Sequence, residues 1–64
     1  MFELFDEVKI KASGIVGVII DIAKKKDDQN LYVVEASEPG YDKNASYNTL
    51  YPLYDCLEAE IEKL

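Results

Sequence analysis

The chain contains no histidine, no arginine and no tryptophan, and Cys56 is its only cysteine. A lone cysteine excludes an internal disulfide framework, and the absence of histidine removes the usual mixed ligand sets of zinc. General acid–base catalysis near neutral pH most often uses histidine. No base accompanies Cys56 to activate its thiol, so we expect this residue to be a small buried apolar side chain. The sequence therefore predicts a protein without catalytic residues.

A metal site built from oxygen ligands is also not predicted. Asp21, Asp27 and Asp28 flank one expected loop. Their spacing lacks the alternating ligands, the glycine and the distal glutamate of a calcium loop. We expect neither a metal ion nor a cofactor.

Positive charge is scarce, since seven lysines face thirteen aspartates and glutamates and give a net charge of −6. A negative surface repels phosphate backbones, so nucleic acid is disfavoured as a partner. The same surface favours a basic protein partner and speeds its encounter. The charge balance therefore predicts protein binding.

Long apolar runs are absent as well. The longest, residues 15–20, contains Gly17 and falls far short of the roughly 20 residues that cross a bilayer. The opening "MFELFDEVKI" carries acids where a secretory signal would carry positive charge. A single thiol also suits a reducing compartment. We therefore expect a cytoplasmic protein without a membrane span.

The length of 64 residues fits one domain, residues 1–64, near the lower limit for an unassisted core. Such small domains are commonly reinforced by disulfides, a metal or oligomerisation. Because the first two are not expected here, the small core favours self-association as a homodimer.

The apolar pattern predicts a mainly β protein. Stretches with the two-residue period of strands, or rich in β-forming side chains, cover residues 7–11, 15–22, 31–36 and 50–57. Residues 24–30 are expected to form a charged hairpin tip, and residues 37–49 a long polar loop. Loops of that length are often functional. Pro52 is expected at the start or on the edge of its strand, because it has no N–H to donate.

Two glycines stand beside the stiffest strand. Gly14 follows Ala12 and Ser13 in an expected turn, where glycine supplies unusual backbone angles. Gly17 interrupts a β-branched run, and we expect it to allow either a bulge or the close approach of a neighbouring strand.

The C-terminal stretch "DCLEAEIEKL" has two interpretations. Asp55 and Glu58 have the spacing of a capping box, and Leu57, Ile61 and Leu64 fall on one face of a short α-helix. A single helical or 3-10 turn at residues 57–60, followed by a short closing strand, would use the same apolar residues. The sequence leaves both open.

The order of these elements resembles the small five-stranded barrels of the SH3-like type. More narrowly, "DEVKIKASGIVGVIIDI" is similar to the KOW pattern, in which "V-x-I" leads through a glycine turn to "G-x-I/V". The resemblance implies a five-stranded barrel with a helical or 3-10 turn near the C-terminus. It also implies a binding module, and in its RNA-binding members the contacts rest on basic loop residues. Lys24, Lys25 and Lys26 are the residues that would make them here.

Tyrosine is the notable excess, with five copies. Tyrosine offers a large contact area with a polar tip and is favoured at interfaces. In one interpretation, Tyr51 and Tyr54 cap a core too small to hide them. In the other, Tyr41, Tyr47 and Tyr51 form a partner-binding face. We therefore predict a non-catalytic interaction or accessory module, with a KOW-like nucleic-acid-associated domain as the alternative.

Overall fold

The structure is a computed structural model, and it describes residues 1–24 and 29–64. The elements follow one another as β1 (Glu7–Ile10), β2 (Val16–Lys24), β3 (Asn30–Ala36), β4 (Leu53–Leu57), a 3-10 turn (Glu58–Glu60) and β5 (Ile61–Lys63). The expected mainly β fold with five strands and a short turn near the C-terminus is confirmed.

All described strand pairs are antiparallel, and they form one sheet in the order β4-β3-β2-β1-β5. β4 and β5 lie at the two ends of this order, and no ladder joins them within the described part of the chain. The sheet is therefore open along a seam between β4 and β5. The predicted closed barrel is therefore not confirmed, because the two end strands of the described sheet do not pair.

The core lies on one face of the sheet. In β3, alternate residues Tyr32, Val34 and Ala36 are buried, as the two-residue period of a strand requires. Residues from the other four strands complete this core: Val8, Ile10, Ile19, Tyr54, Cys56 and Ile61. The ring of Phe2 packs edge-on against Tyr32 with centroids 5.5 Å apart, so the N-terminal segment covers part of the core.

Gly17 lies where β2 is squeezed between β1 and β3. It is opposite Val8 on one side and Ala36 on the other. A Cβ atom at this position would overlap the carbonyl oxygen of Glu35 and lie 2.7 Å from a methyl group of Val34. Gly17 therefore allows the close approach of a neighbouring strand, which is the second of the two alternatives predicted from the sequence.

The bulge of β2 occurs three residues later. Ile19 is opposite Val34 and Asp21 is opposite Val33, so Ile20 has no partner in the ladder. The extra residue shifts the strand's alternation by one position from Asp21 onward, so that Ile20 and Ile22 lie on opposite faces of the sheet. Ile22 therefore packs against the core, and Ile20 is exposed.

Gly14 lies in the connection between β1 and β2 with φ of 79°, a left-handed conformation that glycine adopts without strain. Its N–H donates to the carbonyl of Ile10 at 2.7 Å. This bond closes the short turn that reverses the chain.

Five strand boundaries differ from the sequence-based expectation, by one to three residues. β4 begins at Leu53 rather than at residue 50, and the buried Pro52 immediately precedes it. Lys24 and Asn30, expected at a hairpin tip, pair with each other as the last rungs of β2 and β3. Of the remaining tip, residues 25–28 lie outside the described residues.

At the C-terminus, the turn followed by a short strand is the interpretation that the structure adopts. The Glu60 carboxylate accepts the Leu57 N–H at 2.6 Å, which satisfies the first free donor of the 3-10 turn. Ile61 then enters the core opposite Ile10.

Candidate functional site

The loop of residues 37–52 is held by hydrogen bonds of its own. The Gly40 N–H donates to the Leu50 carbonyl at 3.1 Å. Farther out, the Asp42 N–H donates to the Asn48 side-chain oxygen at 3.0 Å, and the Asn48 amide donates to the Asp42 carbonyl at 2.9 Å. These contacts give the two arms of the loop a defined relative position.

One side-chain contact fastens this loop to the core. The hydroxyl of the buried Tyr54 donates to the Asp42 carboxylate at 2.5 Å, and the Asn44 N–H donates to the other carboxylate oxygen at 2.9 Å. The bond from Tyr54, followed by the one from Asn44, lowers the pKa of Asp42. Burial, followed by the same hydrogen bond, raises the pKa of Tyr54 to about 12. Both shifts favour the paired state, a carboxylate and a neutral phenol.

A groove of about 560 Å³ lies between this loop and the β1–β2 turn. Its lining includes the acidic residues Glu38 and Asp42. The apolar, proline and aromatic residues of its lining include Ile15, Val16, Ala36, Pro39, Tyr41 and Pro52. Its size and its mixed lining are those of a small binding cleft.

The three predicted tyrosines all belong to the same loop, but they have different surroundings. Tyr41 lines the groove and is 81% exposed. Tyr47 is 65% exposed, and its backbone pairs with Leu53. Tyr51 is 37% exposed and does not line the groove. Tyr41 is thus the one of the three that the structure brings to a concave surface.

The other two tyrosines belong to the core. Tyr54 is buried in the core, whereas Tyr51, its partner in the first interpretation of the tyrosines, is partly exposed. Tyr32 is fully buried, accepts a hydrogen bond from Asn30 at 3.2 Å and donates to Glu58 at 3.4 Å.

A second, smaller cleft of about 250 Å³ follows the open seam of the sheet. Its lining includes Lys11, Asp55, Cys56 and Glu60. Burial, with the nearby Glu60 and Asp55 carboxylates, raises the pKa of the Cys56 thiol to about 11. The thiol is therefore protonated at neutral pH and is a poor nucleophile.

The outer edge of β4 has its N–H groups already satisfied. The Leu53 N–H donates to the Tyr47 carbonyl at 2.8 Å, and the Asp55 N–H donates to the Ser46 hydroxyl at 3.0 Å. The Leu57 N–H donates to Glu60, as described above. These three N–H groups are therefore not available to an added strand.

The three lysines of the nucleic-acid alternative are only partly described. Lys24 is the last residue of β2 and is exposed. Lys25 and Lys26 lie outside the described residues, so this alternative stays a prediction.

Sequence reasoning missed Asp42 as the residue that anchors the loop. Only one feature of the sequence indicates this role of Asp42, and it is weak. Asp42 and Asn44 are two residues apart, the spacing at which an aspartate oxygen accepts a backbone N–H in a turn. The partnership with Tyr54, twelve residues away, follows no sequence period.

In the described ranges 1–24 and 29–64, no three metal-ligating side chains cluster around a common point. No helix in those ranges has the length and the apolar character needed to cross a membrane. Comparison of the chain with protein-family models, with curated proteins and with solved structures finds no match.

Proposed function

We propose that this protein is a non-catalytic interaction module of the SH3-like type, which binds a basic segment of a partner protein through the groove beside Tyr41. The strand order and the 3-10 turn before the last strand support the SH3-like assignment. The open seam is the feature in which the sheet departs from a closed barrel. The KOW resemblance remains a narrower prediction for β1 and β2.

The groove is the observation that carries the functional proposal. It places the exposed Tyr41, two prolines and several aliphatic residues in the lining of one concave surface. Aromatic grooves of this kind take extended, proline-rich peptides, whose backbone is already stiff and loses little entropy on binding. Glu38 forms no ion pair with any described residue, so its carboxylate is available to a cationic side chain at the groove wall.

The experiment is a titration of isotope-labelled protein with two synthetic proline-rich peptides, one carrying lysines and the other glutamates at the same positions. We expect the basic peptide to shift the amide signals of Gly14, Ala36 and Tyr41. We also expect weaker binding as salt is raised from 50 to 200 mM, because exposed charges are screened.

The variant Tyr41→Ala should weaken binding by about tenfold, as expected when a central aromatic contact is truncated. Leu64→Ala is the matched control, because Leu64 is also exposed but lies at the end of the chain outside the groove. Binding that is unchanged in Tyr41→Ala, or equal for both peptides, contradicts the proposal. Steeply salt-dependent binding to RNA would favour the nucleic-acid alternative instead.

A further inference from the structure

The face of the sheet opposite the core carries apolar side chains where solvent-facing strands usually carry polar ones. In β3, Leu31 and Val33 lie on this face and are half-buried, and Val18 lies on it in β2. We call the following set the outer face: Val18, Ile20, Ala23, Leu31, Val33, Leu53 and Leu57.

Acidic side chains alternate with these apolar residues in register. Val33 is flanked on its two neighbouring strands by Asp21 and Asp55. In the next row, Val18 is flanked by Glu7 and Glu35. Strand spacing puts the two members of each acidic pair about 10 Å apart, with a valine between them.

The carboxylates of this pattern form no ion pair with another described residue. Ion pairs within the described residues join the N-terminus to Glu58, Lys9 to Glu62 and Lys63 to Asp6. Asp21, Glu35 and Asp55 form none of these pairs. Diagonal neighbours on a sheet lie about 7–8 Å apart, so their negative charges repel one another in the free protein.

Two backbone irregularities meet at one border of the outer face. The bulge leaves Ile20 unpaired and 37% exposed. Phe5 has φ of 70°, a rare conformation for a large side chain, and is 74% exposed. The Phe5 N–H donates to the Ile19 carbonyl at 2.7 Å, which holds the two irregularities side by side. Bulges and strained residues of this kind often serve to direct a side chain towards a binding partner.

From these observations we propose that the outer face is a second docking surface, and that its occupant is a partner segment in which lysine or arginine alternates with apolar residues. Apolar positions of such a segment cover Val18 and Val33, and its cations meet the carboxylates on either side. Charge complementarity selects this occupant. A second copy of the chain would bring the same acids against themselves, and a nucleic acid would bring phosphates. This surface is distinct from the groove and does not depend on the function proposed for it.

The test uses a short synthetic peptide of alternating lysine and leucine, with a glutamate–leucine peptide as the charge-reversed probe. We expect only the lysine peptide to bind, with amide shifts along β2, β3 and β4. The double variant Asp21→Asn/Asp55→Asn should weaken binding by roughly fivefold, the size expected from two exposed ion pairs. Asparagine preserves the bond that Asp21 accepts from the Ile22 N–H at 2.9 Å.

Val33→Thr should also weaken binding, because it removes apolar contact while keeping a β-branched side chain. Glu3→Gln is the control, because it removes a carboxylate that lies outside the outer face and forms none of the ion pairs above. The folded state of each variant is checked by its amide spectrum and denaturation midpoint.

Several results would overturn the proposal. These are failure of the lysine peptide to bind, equal binding of both peptides, and an effect of Glu3→Gln as large as that of the double aspartate variant. Amide shifts confined to Gly14, Ala36 and residues 37–52 would place the peptide in the groove, which rejects this surface while supporting the other. Dimerisation that is detected by light scattering and lost in Val33→Thr would make a second copy the occupant and would also reject the proposal.

Discussion

The hydroxyl of Tyr54 donates to the carboxylate of Asp42 over 2.5 Å and thereby links β4 to the outer part of the 37–52 loop. The ring of Tyr54 belongs to the core, whereas Asp42 belongs to the wall of the groove. Packing of the core and the shape of the candidate site are therefore coupled through one hydrogen bond. Loss of this bond should therefore destabilise the loop more than it destabilises the sheet.

The first prediction concerns this link. Tyr54→Phe keeps the buried ring and removes only the donor. We expect backbone amides of residues 40–50 to exchange with solvent faster, while amides of β2 and β3 keep their protection. Hydrogen exchange measured residue by residue checks this result.

The matched control for this prediction is Tyr32→Phe. Tyr32 is also a core tyrosine, but its hydroxyl donates over 3.4 Å to Glu58 and has no contact with the loop. Its removal should leave loop exchange unchanged. Equal acceleration in both variants would mean that Asp42 does not hold the loop.

A second prediction compares two glycines. In Gly17→Ala, the new methyl group overlaps the backbone of Glu35, and the strands must separate to admit it. Overpacking of this kind costs typically 1–3 kcal/mol, and we expect the upper end or more because backbone atoms must move. In Gly14→Ala, no heavy atom lies within 4 Å of the added carbon. The expected cost there is only the strain of an alanine in the left-handed conformation, about 1–2 kcal/mol of the free energy of unfolding.

Denaturant unfolding of the two variants at one pH measures the difference in the free energy of unfolding. We expect Gly17→Ala to lower the free energy of unfolding more than Gly14→Ala does. A larger loss for Gly14→Ala would show that the contact at Gly17 relaxes easily.

Parts of this fold could be predicted from the sequence because they follow a period. Tyr32, Val34 and Ala36 alternate with less buried neighbours, and the structure buries them as the alternation requires. The bulge at Ile20 has no such signal, since every residue from 18 to 20 is β-branched and apolar. The register of β3 against β2 decides which of them is extra, and that register depends on the whole sheet.

The candidate sites can also be divided into residues that the sequence identifies and residues that only the pairing of the strands brings together. Tyr41 could be identified from composition, because an aromatic residue in a polar loop has no core to enter. The alternation of acids and valines across three strands could not be predicted, because it requires the pairing of Val33 with Asp21 and Asp55. Each member is unremarkable within its own strand.

A third prediction concerns the backbone at Phe5. Its left-handed conformation costs roughly 1–2 kcal/mol for a residue with a Cβ, and an exposed side chain gains little from burial. Phe5→Gly removes this strain but adds about 0.4–1 kcal/mol of unfolded-state entropy. We therefore expect a net stabilisation of about 0.5–1 kcal/mol, measured as a higher denaturation midpoint.

Leu4→Gly is the comparison for Phe5→Gly, because Leu4 is also exposed and does not have a positive φ. It should be neutral or destabilising. Destabilisation by Phe5→Gly would show that the phenyl ring makes contacts that outweigh its backbone strain. If Phe5 also contacts the occupant of the outer face, the stabilised variant should bind the lysine peptide more weakly.

The last prediction is a loss of stability in alkaline solution. The pKa of Tyr54 rises from 10.0 in its reference state to about 12 in the folded protein, and that of Cys56 rises from 9.0 to about 11. Both groups are neutral when protonated, so a raised folded-state pKa means that folding favours the protonated form. This contribution is complete below pH 9 and is lost as the pH rises through 11 and 12.

The denaturation midpoint should be flat between pH 7 and pH 9 and should then fall. Cys56→Ala should remove the part of the decline that begins near pH 9, and Tyr54→Phe the part that begins near pH 10, although both substitutions lower stability at neutral pH. A decline that is unchanged in both variants would mean that alkaline unfolding does not arise from Tyr54 or Cys56.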